Sequence, residues 1–137
     1  MSRAGYDDDC GGDPRDFAMW RGQVASAIRG KRGQAFLREL VAALDAMPEK
    51  RLIAEELEKG GEVCAIGAVG KARGVAMGEL DPDEPGKIAA TFGIADPLVR
   101  EIEYMNDEAG SFKETPEGRW ARMRAWVERQ IAAKAAP

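Results

Sequence analysis

The residues able to do chemistry are unevenly supplied in this sequence. Carboxylates are plentiful and often adjacent: Glu55 with Glu56, Asp83 with Glu84, Asp107 with Glu108. Acid–base catalysis needs two carboxyls in one cleft with separated pKa values, and nothing in these pairs implies burial. Histidine is absent from all 137 residues. That removes Ser-His-Asp and Cys-His nucleophiles as usually built, and every zinc site that relies on imidazole. The hydroxyls of Ser26, Ser111 and Thr115 have no base near them. Cys10 and Cys64 form neither a CxxC pair nor a disulfide framework, and two distant thiols cannot complete a four-thiolate site. Both read as reduced thiols. Asp7, Asp9 and Asp13 are spaced like the start of a calcium loop, but its twelfth position is Ala18 in place of the bidentate Glu. No catalytic residue, metal or cofactor is expected, and the chain does not read as an enzyme.

One stretch imitates a phosphate loop. In "AIGAVGKA", residues 65–72, Gly70 and Lys71 match the end of that motif. Its first glycine is replaced by Ala65, and the hydroxyl that would meet Mg²⁺ is replaced by Ala72. The better reading is a helix of small residues packed closely on a neighbour.

The elements that must position any site follow from punctuation and periodicity. The length suits one domain with a real core. No apolar run approaches a membrane span. The acidic start lacks the apolar stretch of a signal peptide, so a cytoplasmic protein is expected. Residues 1–12 are polar and glycine-rich, and read as a disordered acidic tail. Asp13-Pro14, Asp81-Pro82, Asp96-Pro97 and Thr115-Pro116 each pair a capping side chain with a proline suited to a first helical turn. At the second pair the helix is expected to wait until Pro85. Apolar spacing predicts helices over Pro14–Ile28 (Phe17, Trp20, Val24 and Ile28 on one face) and Gln34–Met47, with the two glycines of "RGKRG" breaking between them. A last helix follows Thr115, with Trp120, Met123, Val127 and Ile131 on its apolar face and Trp126 beside them. Residues 51–66 flank "EKGG" with short apolar runs and suit a small β-hairpin, with a helical path as the alternative. The fold class is therefore mainly α, a single domain over 13–137 with five or six helices and an optional hairpin.

"KIAATFGIADPLVREIEY", residues 87–104, is similar to the helix-turn-helix family. Ile88, Ala89 and Phe92 precede the turn glycine, Gly93, and Ile94, Val99 and Ile102 follow it. Asp96 is expected to cap the second helix. By the resemblance its outward face carries Asp96, Arg100, Glu101 and Tyr104, with Glu103 and Asp107 near by. Residues 76–115 carry a net charge of −7 within a chain total of −4. Phosphate binding is chiefly electrostatic, so this face suits DNA poorly, although Arg100 could meet a guanine. DNA would need Arg29, Lys31 and Arg32, with Arg122 and Arg129, to reach the same surface. The basic segments 14–41 and 116–137 would form one face only if the two terminal helices lie together.

Most of the chain also resembles a family of small uncharacterised proteins encoded in bacteriophage and prophage genomes. The residues that carry this are "IRGKRGQAFLREL" (28–40), "LDAMPEKRLIAEEL" (44–57), "EVCAIGAVGKARG" (62–74), "FGIADPLVREIEYMNDE" (92–108) and "ETPEGRWARMRAWVERQI" (114–131). The resemblance implies a small phage accessory protein and transfers no catalytic residues. The expected function is non-catalytic binding of a macromolecular partner in host transcription, replication or defence machinery, in the bacterial cytoplasm. Asp96, Arg100, Glu101, Tyr104 and Asp107 are its candidate partner-binding residues. The alternative is a DNA-binding regulator using Arg29, Lys31, Arg32 and Arg100. The sequence does not fix the oligomeric state.

Overall fold

The computed structural model describes residues 2–6 and 13–132, and among them the chain forms six α-helices and one two-stranded hairpin. In chain order these are α1 (Pro14–Arg29), α2 (Lys31–Ala46), β1 (Glu58–Lys59), β2 (Glu62–Val63), α3 (Ala65–Arg73), a 3₁₀ turn (Met77–Glu79), α4 (Pro85–Phe92), α5 (Asp96–Asp107) and α6 (Pro116–Gln130). The mainly helical, single-domain reading holds. The hairpin occupies only residues 58–63, with Glu58 opposite Val63 and Lys59 opposite Glu62.

The helix starts follow capping chemistry. Asp13 accepts from the Arg15 amide at 2.9 Å, and Thr115 Oγ1 accepts from the Gly118 amide at 3.0 Å, each satisfying an orphan donor of a first turn. The helix after Asp81-Pro82 waits until Pro85. Asp96 departs from expectation: Ala95 is the cap residue, and Asp96 sits inside the first turn without a capping bond, where its charge still favours the helix dipole. Cys64 caps α3 through its sulfur, which accepts from the Gly67 amide at 3.4 Å.

The break between α1 and α2 is narrower than the two glycines suggest. Gly30 alone separates the helices, and Gly33 lies buried inside α2. A Cβ at Gly33 would sit 1.8 Å from the Ala27 carbonyl oxygen, so the glycine is there for close approach and not for a break. Gln34, also buried, donates to the carbonyls of Ile28 and Gln130 and accepts from the Ala132 amide. One side chain thereby ties α1, α2 and the end of α6.

Two helices organise the core. α2 buries Phe36, Leu37, Leu40 and Leu44 and packs against α1, α3 and α6. α5 buries Leu98, Val99 and Ile102 and packs against α1, α3, α4 and α6. α1 packs mainly on α5 and next on α2, and α6 packs mainly on α2; neither terminal helix has the other as a main neighbour, so the condition for one shared basic face is not met. On α6, Met123, Trp126 and Val127 are buried and Trp120 and Ile131 partly so. On α1 only Val24 is fully buried, and Phe17 is 47% exposed. The corner between α4 and α5 is as expected: Gly93 turns the chain at φ 74, in the left-handed region that favours glycine. Ile88, Ala89, Phe92, Ile94, Val99 and Ile102 are all buried around it.

The acidic tail expected over residues 1–12 is corrected where it is described. Residues 2–6 lie against α5, with Arg3 and Ala4 buried. The remainder of that segment, including Asp7, Asp9 and Cys10, lies outside the described residues.

Candidate functional site

The face of α5 expected to point outward is covered. Heptad-like spacing places Arg100, Glu101, Tyr104, Asp107 and Glu108 along one side of the helix, and residues 2–6 run along that side as a strap. Ser2 Oγ donates to Glu108 at 2.5 Å. The Arg3 guanidinium meets Asp107 in a two-point contact, Nε to Oδ2 at 2.5 Å and Nη2 to Oδ1 at 2.9 Å, the fork geometry that makes such pairs strong. Arg100 Nε donates to the Ala4 carbonyl at 2.5 Å. Tyr6 stacks on Tyr104 with ring centroids 4.9 Å apart, and its hydroxyl donates to Glu101 at 2.5 Å. From the other side α1 contributes Arg21, which grips Glu101 at 2.7 and 2.9 Å, and Trp20, whose ring lies 4.7 Å from the Arg100 guanidinium.

Four of the five residues assigned to partner binding, Arg100, Glu101, Tyr104 and Asp107, are thus brought together under the strap, but not as a bare surface. Glu101 is 5% exposed, and the Asp107 side chain also 5%. Their covers, Arg3, Tyr6, Trp20 and Arg21, are 80 or more positions away in sequence. No periodic pattern signals such a pairing. Asp96 is half-buried, and burial raises its carboxyl above the usual range.

Glu103 is the outlier of the site. Its side chain is fully buried, and neither carboxylate oxygen has a hydrogen-bond partner among the described residues. The nearest cation is Arg3 Nη1 at 3.5 Å, itself without a hydrogen bond. Burial pushes the Glu103 carboxyl up to about 8, with Asp107, Asp83 and Asp96 adding to the rise and Arg3 opposing it. Burial and the bond to Glu101 likewise push the Tyr6 hydroxyl upward.

Asp107 does more than hold Arg3. Its Oδ1 also accepts from the Glu55 amide at 3.0 Å and from Asn106 Nδ2 at 2.8 Å. Glu55 stands at φ 70, a left-handed conformation uncommon for a side-chain-bearing residue. Buried Asn106 continues the network by accepting from the Ala65 amide and donating to the Ile53 carbonyl. The far end of α5 is closed by α6. Arg119 donates to the Asn106 and Leu52 carbonyls, and Arg122 to the Met105 and Asn106 carbonyls. The Met105 and Asn106 carbonyls are orphan acceptors of the α5 C-terminus, where cations are favoured. Glu114 holds both arginines, and the Arg122 hydrogen bond keeps its carboxyl below the usual range.

The basic residues proposed for DNA are separated. Arg29, Lys31 and Arg32 are exposed around Gly30. Arg100 packs over Trp20, nine residues earlier on α1 than Arg29, which at 1.5 Å per residue is about 14 Å along the axis. Arg122 is spent on α5. The residues do not form one patch with Arg100.

Elsewhere, the phosphate-loop imitation is a buried helix, with Lys71 Nζ donating to the Gly61 carbonyl at 3.0 Å. A Cβ at Gly67 would sit 2.0 Å from the Leu57 carbonyl oxygen, which is the close packing read from its small residues. A cleft of about 660 Å³ opens beside the strap, lined by Arg3, Glu55, Glu56, Lys59, Glu62 and Asp83. A second of about 420 Å³ lies between the end of α2, the hairpin and α3, with Glu49, the Arg51–Glu62 pair and Lys71 as its charged lining. Among the described residues no three acidic or sulfur side chains are placed to hold a metal ion, and no helix is long and apolar enough to cross a membrane. No family model, curated protein or solved structure matches the chain.

Proposed function

We propose that this chain is a non-catalytic accessory protein, of the kind phages encode, that binds a protein partner in host transcription, replication or defence machinery. One observation carries the reading: the acidic, aromatic face of α5 is built to hold a peptide segment, and in this structure it holds residues 2–6. Carboxylates that take an arginine, and a ring that takes a ring, suit polypeptide recognition. The same carboxylates repel a phosphate backbone. The regulator alternative is disfavoured because Arg100 and Tyr104 are already engaged and the other cations lie elsewhere.

The test is capture from host lysate with the intact chain and two substituted forms. Tyr104→Ala with Glu108→Lys alters the acidic, aromatic face of α5, whereas Arg29→Glu with Arg32→Glu alters the basic turn. Loss of one specific protein complex with the first pair only supports the reading. Binding to duplex DNA that falls steeply with salt, and that the second pair abolishes, refutes it in favour of a regulator.

A further inference from the structure

We infer that the α5 face is a receptor for an arginine-x-x-aromatic segment of the partner, and that residues 2–6 occupy it as a tethered competitor. This rests on the protein-binding reading above and specifies its ligand. The strap defines what fits. Arg3 supplies a guanidinium to Asp107, and Tyr6, three positions on, supplies a ring to Tyr104 and a hydroxyl to Glu101. The intervening backbone is read as well, through the Ala4 carbonyl.

The resident segment is a poor match in one respect, and that makes it displaceable. Glu103 Oε1 and Oε2 and Arg3 Nη1 are buried without hydrogen-bond partners among the described residues, with only the 3.5 Å ion pair between Arg3 Nη1 and Glu103 Oε2. A buried polar group left unpaired opposes the complex that buries it. A partner with the same arginine and aromatic, plus one donor positioned for Glu103, would satisfy what the strap leaves open. The strap then gates the site: a segment seated about nine-tenths of the time would lower a partner's apparent affinity about ten-fold.

The experiment uses the full chain and a labelled pentapeptide copying residues 2–6, read by fluorescence polarisation. The Arg3→Ser, Tyr6→Ala double variant should bind the peptide at least ten-fold more tightly than the unaltered chain does. Adding Asp107→Asn should reduce that binding ten-fold or more, and a peptide with alanine for arginine should not bind. Circular dichroism establishes that each variant is folded. If the double variant is not, Tyr6→Ala alone replaces it, with the same ordering expected. Equal affinity for variant and unaltered chain, or no binding to a folded variant, overturns the inference. If the peptide fails while the Tyr104 and Glu108 substitutions still abolish partner capture, only the ligand assignment falls and the protein-binding function stands.

Discussion

Replacing Glu103 with glutamine should remove a pH dependence that this one side chain imposes on stability. The folded chain holds the Glu103 proton with a pKa near 8, against 4.5 for the ordinary carboxyl. Below 4.5 both folded and unfolded chains carry the proton, and no penalty exists. Between 4.5 and about 8 only the folded chain carries it, so stability falls as pH rises, by about 1.4 kcal/mol per pH unit. Above that window the loss is complete. By pH 7 it amounts to about 3 kcal/mol, a large share of a small domain's stability. Glutamine keeps the shape without the titration. Glu103→Gln should therefore be more stable than the unaltered chain at pH 7 by about 1–3 kcal/mol, and nearly equal to it at pH 5. Urea unfolding followed by tryptophan fluorescence at pH 5, 6, 7 and 8 measures this. Parallel pH profiles for the two chains, or a variant less stable at pH 7, would refute the claim that Glu103 is buried without a hydrogen-bond partner.

Three further outcomes are expected. Gly67→Ala should cost about 1–3 kcal/mol or more, because the new methyl meets the Leu57 carbonyl at 2.0 Å; a thermal melt within a degree of the unaltered chain would contradict this packing. Arg122→Ala should cost about 1–3 kcal/mol by stripping the end of α5 and leaving Glu114 with Arg119 alone, and hydrogen exchange should quicken at residues 103–108 before it does in α2. Arg124→Ala breaks only the part-exposed pair with Asp45 and the i,i+4 pair with Glu128. Its effect on a thermal melt should be small and should shrink further as salt is added.

Much of the scaffold was legible because helix starts and turns are local. Asp13, Thr115 and Gly93 act within a few residues of themselves, and each does what its type and position imply. The helices they start run close to their expected bounds. Gly33 was misread because a glycine that admits a neighbouring helix looks, in sequence, like a glycine that ends one. The larger departure concerns α5. Periodicity separates its apolar side from its polar side, and polar is normally taken to mean solvent-facing. Here Glu101, Glu103 and Asp107 are polar and covered, matched by Arg3, Tyr6 and Arg21 from remote positions. Charge complementarity between distant segments leaves no spacing to detect. Asn106 and Gln34 were missed for the same reason: a buried amide that links three elements looks like any surface amide.

The order in which the chain is made separates the strap from its seat. Arg3 precedes Asp107 by 104 positions, and Tyr6 precedes Glu101 by 95. At translation rates of about 5–20 residues per second, the first of these segments waits on the order of ten seconds before the second exists. Closing so long a loop also comes late among the contacts of folding. Each newborn molecule therefore passes through an interval in which an arginine and a tyrosine hang free and the helix that will clasp them is still unwritten.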